Sequence, residues 1–72
     1  MKEYWDIIRE LREDRDLTQA DIAAVLQTTQ QVYSRYEKGI NHVPIHHLKT
    51  LCQFYRVSAD YILGLSREMR IH

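Results

Sequence analysis

Two helix beginnings and one helix end fall between Leu17 and Gly39, and they constrain this chain more than any other feature. Thr18-x-x-Asp21 is an N-terminal signature: the hydroxyl can accept an orphan backbone N–H while the acid reaches back to the cap. Thr28-x-x-Gln31 repeats the pattern, with Thr29 as an equally suitable cap. Gly39 then stands where a helix C-terminus needs a left-handed residue. Between these signals Ile22, Ala23, Val25 and Leu26 form the apolar side of one short helix. Tyr33 and Tyr36 share a face of the next.

The rest of the chain adds helices. Tyr4, Ile7, Ile8, Leu11 and Arg15 recur at helical spacing with charges between them, which predicts an amphipathic helix over about residues 3–14, ended at Arg15-Asp16. Pro44 suits the first turn of a fourth helix carrying Ile45, Leu48, Leu51, Cys52 and Tyr55. Ser58 caps a short fifth helix holding Tyr61, Ile62 and Leu63, with Gly64 stopping it. No segment alternates as a strand would, so the expected fold is all-α, with Ile8, Leu11, Leu17, Ile22, Ala23, Leu26, Tyr33, Tyr36, Leu48, Leu51 and Ile62 in one core. At 72 residues there is room for one small domain, marginal as a free-standing fold. Cys52 is the sole cysteine, so no intrachain disulfide supports it. The thiol reads as a small buried hydrophobe.

Two capped helices joined by a few residues make a helix-turn-helix candidate, and Ala23 is small where they must touch. Opposite the tyrosines, the second of these helices turns out Gln30, Gln31, Ser34, Arg35 and Lys38. Glutamine and arginine match the donors and acceptors of base edges in a major groove.

The strings Leu17-Thr18-Gln19-Ala20-Asp21-Ile22-Ala23 and Thr28-Thr29-Gln30-Gln31-Val32-Tyr33-Ser34-Arg35-Tyr36-Glu37-Lys38-Gly39 resemble the phage repressor/Cro-like helix-turn-helix family. Pro44, Leu48, Leu51 and Val57-Ser58-Ala59-Asp60-Tyr61-Ile62-Leu63-Gly64 are similar to its fourth and fifth helices, so the resemblance covers about residues 5–64. It implies a five-helix, lambda-repressor-like DNA-binding domain over residues 1–64 and a recognition helix at about 29–38 lying in the major groove of operator DNA. The tail at 65–72, outside the resemblance, is either a frayed end or part of a dimer contact. Thr29, Gln30, Gln31, Ser34 and Arg35 match groove-facing positions, and Thr-Thr-Gln-Gln looks like the lambdoid repressors that use paired glutamines. Gln19 matches a residue that touches the DNA backbone and supports the recognition helix. Lys38, Asn41 and His42 fall where phosphates are held, and Arg12 and Glu37 match an ion pair tying the first helix to the recognition helix. The implied protein is a transcriptional repressor acting as a homodimer on double-stranded DNA.

The chain departs from that family in two places. Gln27 occupies a tight turn that often carries glycine, and a left-handed conformation there would cost roughly 1–2 kcal/mol. The loop Ile40-Asn41-His42-Val43 lacks the Lys or Arg that usually grips phosphates, so a monomer should bind DNA weakly. Ten basic and ten acidic residues also cancel, whereas a nucleic-acid partner usually leaves a basic footprint. Residues 1–16 hold six of the acids, which suits a solvated face pointing away from DNA. These points favour a second reading, a protein-interaction or antitoxin-type module of the same fold in which DNA contact is secondary.

Other classes find little footing. His42, His46 and His47 tempt a metal reading, but Pro44 interrupts the first pair and adjacent histidines diverge on a helix. No nucleophile, base and orienting group stand together, and no glycine-rich phosphate loop exists, so neither an enzyme nor a cofactor is expected. No secretory or membrane-spanning segment is evident, and the expected location is the cytoplasm.

Overall fold

The computed structural model describes residues 2–69 and places five helices in them: α1 (Tyr4–Asp14), α2 (Gln19–Leu26), α3 (Gln30–Glu37), α4 (Ile45–Tyr55) and α5 (Ala59–Ile62). No sheet occurs among the described residues. Most helix starts follow the capping chemistry of the sequence. The Thr18 hydroxyl accepts the Asp21 N–H at 3.1 Å, and the Asp21 carboxylate accepts the Thr18 N–H at 2.9 Å. Ser58 accepts the Tyr61 N–H at 3.0 Å. At α3 the cap is Thr29, whose hydroxyl accepts the Val32 N–H at 3.1 Å; Thr28 sits one place too early. Pro44, held at a φ of −65°, precedes α4.

Helix ends need residues that tolerate a positive φ. Gln27 adopts +57° between α2 and α3, in the left-handed conformation that its place in the turn demands. Gly39 adopts +73° after α3, and its lack of a side chain has a second cause: an added Cβ would lie 2.7 Å from Trp5 Cε2. The indole therefore packs directly on the backbone that ends α3, which only glycine permits.

The core joins all five helices. Ile8, Leu11, Ile22, Ala23, Leu26, Tyr33, Tyr36, Leu51 and Ile62 are buried as expected. Ala23 is only 3% exposed, in keeping with a small residue where α2 and α3 pack together. Leu17 and Leu48, expected inside, are half-buried at its margin. Ile45 is the clearest departure: it belongs to the apolar spacing of α4 yet, as the first residue of that helix, is 83% exposed among the described residues. Ile7, Tyr55 and Val57 complete the core instead. Val57 becomes buried because Arg56, at a φ of +57°, turns the chain back across α4. The described part of the tail lies beside the start of α5, where the Ser58 N–H donates to the Met69 carbonyl at 2.9 Å. Arg70 and Ile71, which the sequence places in the expected dimer contact, fall outside the described residues.

Candidate nucleic-acid interface

The chain between Leu26 and Gln30 is short, so α3 is held against α2 by Ile22, Ala23 and Leu26 on one side and Tyr33 and Tyr36 on the other. The tyrosine rings meet edge to face, 6.3 Å apart at 88°. Burying them fixes the rotation of α3 about its axis, and the polar residues between them must then face outward. Gln30, Gln31, Ser34, Arg35 and Lys38, together with Gln19 from the start of α2, line one open concavity of about 540 Å³.

The electrostatics of that surface differ from the neutral average of the chain. Two cations and no acid line the concavity. Several acids of α1 are occupied elsewhere: Lys2 pairs with Glu10 at 2.7 Å, and Arg9 lies 3.7 Å from Asp6 and 3.8 Å from Glu13. The acid of α3 itself, Glu37, is buried, and Arg12 covers it with hydrogen bonds of 2.7 and 3.0 Å. Burial is the largest single influence and would push the Glu37 carboxyl up; the hydrogen bonds of Arg12 and its other neighbours, with the arginine charge, together outweigh it and hold the group below the ordinary glutamate value. Arg12 also donates to the Leu17 carbonyl at 3.0 Å, so one guanidinium joins α1, the entry to α2 and the end of α3. Gln19 donates to Glu37 Oε1 at 3.1 Å.

Not every residue expected at the interface joins the concavity. Thr29 caps α3 with its oxygen, which leaves its hydroxyl proton as the group it can offer outward. Asn41 and His42 lie in the loop after α3 and do not line it. His42 instead borders an apolar hollow with Tyr4, Val43, Ile45, Leu48 and Leu63, and its Nδ1 is 3.4 Å from the Tyr4 hydroxyl. That hydroxyl accepts the Val43 N–H at 3.2 Å. Tyr4 and Trp5 thus tie the loop after α3 to α1, a role hidden in the sequence because Tyr4 fits an ordinary core spacing and nothing nearby marks Trp5.

The helix-turn-helix family profile matches residues 8–62, which span every element that builds the concavity. The chain belongs to the helix-turn-helix family. It is 35% identical over 63 residues to YobD, an uncharacterized helix-turn-helix-type transcriptional regulator of Bacillus subtilis (strain 168), a match covering 88% of this chain and 56% of that protein. It is also 35% identical over 57 residues to the antitoxin PezA of Streptococcus pneumoniae serotype 4, covering 79% of this chain and 36% of that one. The chain therefore spans about half the length of the first relative and about a third of the second. No solved structure matches it at a significant level. Among the described residues, no helix is long and apolar enough to cross a membrane.

Proposed function

We propose that this chain is a sequence-specific, DNA-binding transcriptional regulator whose helix α3 enters the major groove. The observation that carries the reading is the concavity where Gln30, Gln31, Ser34 and Arg35 stand beside Lys38 and Gln19, with no acid among them. Gln30, Gln31, Ser34, Arg35 and Thr29 read base edges; Gln19, Lys38, Asn41 and His42 meet the phosphates. Residues 1–64 form the binding domain. The protein acts in the cytoplasm as a binding protein, not an enzyme.

One α3 spans too few base pairs for genomic selectivity, so the proposed unit is a homodimer on a near-palindromic operator, its two recognition helices about 34 Å apart. Residues 65–72 are assigned to the dimer contact, supported by the exposed side chain of Leu65 and by the attachment of Met69 to α5. The test is selection from a randomised duplex pool at two salt concentrations, followed by sedimentation of the selected complex. A single enriched, near-palindromic sequence bound by two protomers is expected. One protomer per site would overturn the dimer.

The antitoxin relative and the apolar hollow beside Ile45 and Leu63 favour a second reading, a partner-binding module of the same fold. Failure of the folded protein to enrich any DNA sequence would decide for it.

A further inference from the structure

Gln19 connects the inside of the domain to its candidate DNA surface. Its Nε2 donates to Glu37 Oε1, while the same side chain lines the outer concavity. Glu37 is 6% exposed, and each of its oxygens also accepts from Arg12. An ionised carboxylate can only accept hydrogen bonds, so it admits only the NH₂ end of the Gln19 amide. That fixes which way round the amide sits. One N–H is committed inward, and the second lies on the same nitrogen with its direction set by the first. A donor bonded to a charged acceptor in a low-dielectric site is also polarised.

We infer that Glu37 is a positioning residue for DNA: by orienting Gln19, it aims the second Nε2–H at a backbone phosphate, so that the buried pair Arg12–Glu37 sets affinity without touching DNA. The inference rests on the DNA-binding reading above. It accounts for a carboxylate at the end of a DNA-facing helix. Placed on the surface, that charge would repel phosphate; buried and matched by Arg12, it orients a neutral donor instead.

The experiment is a mutant cycle on the whole chain. Arg12→Met with Glu37→Leu removes the acceptor while leaving the net charge unchanged, and replacing a buried ion pair by apolar residues is often neutral or stabilising. The swap, Gln19→Ala and the triple variant are each titrated with the selected duplex and with a scrambled one. Gln19→Ala and the swap should each weaken both duplexes by about fivefold, the worth of one hydrogen bond, and the triple variant should lose no more than either. Losses that multiply in the triple variant, or a swap that binds like wild type while Gln19→Ala does not, would overturn the positioning role and leave the DNA-binding reading intact. A wild-type chain that binds neither duplex would overturn both. If the swap does not fold, the wild-type Gln19 side-chain amide answers the question by NMR. On adding duplex, one of its two protons should shift and the other stay fixed; both moving together, or neither, counts against the inference.

Discussion

Arg12 on α1 and Glu37 on α3 form a two-pronged ion pair, Nε to Oε2 at 2.7 Å and Nη2 to Oε1 at 3.0 Å, between side chains that are only 13% and 4% exposed. A planar guanidinium suits this geometry and an ammonium does not. The pair locks the rotation of α3 from the end opposite its cap.

Arg12→Met leaves the Glu37 charge buried without its arginine partner, although the Gln19 amide still donates to it. Removing one partner of a buried pair costs about 3 kcal/mol, near the lower bound because the arginine is not fully enclosed. The thermal midpoint should fall by more than about 10 °C for a domain of this size. An unchanged midpoint would deny the pair any structural role.

The same pair sets a pH dependence. The Glu37 carboxyl is held below its ordinary value in the fold, so the unfolded chain binds its proton first as acid is added. Its stabilisation is complete above the usual carboxylate range and is lost as pH falls through the folded value. Asp21 shifts the same way, through the hydrogen bonds of its capping box with Thr18. His47, lowered by burial and by its neighbour His46, adds an earlier loss beginning near the ordinary histidine range. Urea midpoints from pH 8 to 3 should therefore fall monotonically, and the Arg12→Met variant should show a flatter limb in the carboxylate range.

Gly39 and Gly64 both have a positive φ, +73° and +78°, but their surroundings differ. A Cβ at Gly39 meets the Trp5 ring, whereas one at Gly64 meets nothing within 4 Å. Gly64→Ala should cost about 1 kcal/mol from backbone strain alone. Gly39→Ala should cost at least about 2 kcal/mol and shift the Trp5 fluorescence to the red as the indole is displaced. Equal destabilisation by the two variants would mean that Trp5 does not pack on the end of α3.

Gln27 carries left-handed strain of about 1–2 kcal/mol that glycine does not. Glycine also adds roughly 0.5–1 kcal/mol of unfolded-state freedom, so Gln27→Gly should stabilise by about 0.5–1 kcal/mol. Denaturant melts would detect this as a higher midpoint at constant slope. A lower midpoint would show that the Gln27 side chain contributes something in the turn.

Arg35 and Lys38 should separate selectivity from grip. Arg35→Ala is expected to cost about 1–3 kcal/mol on the selected sequence and to flatten preference at one base position. Lys38→Ala should weaken all sequences alike and lower the salt slope by about one unit. With only two cations lining the concavity, the wild-type slope itself should be shallow. Titrations of both variants at several salt concentrations would check this, and a sequence-selective loss from Lys38→Ala would reverse the assignment.

The sequence by itself determined which helices form, where most of them begin, and which way α3 faces. These are local matters: Thr18, Thr29 and Ser58 can reach only N–H groups within their own first turns, and the spacing of Tyr33 and Tyr36 leaves Gln30, Gln31 and Arg35 one side to occupy. The Arg12–Glu37 pair was legible only through family resemblance, since nothing local joins residues so far apart. Three further matters were decided by the tertiary structure alone. Ile45 has the spacing of a core residue, but it starts its helix where the described residues leave it exposed. Tyr4 and Trp5 hold the loop after α3 only because α1 crosses the end of that helix. Gln19 meets Glu37 because the fold of α2 against α3 brings the start of one beside the end of the other. Periodicity and capping report on neighbours along a helix; contacts between helices depend on how the apolar faces settle together, and only the packed chain specifies that.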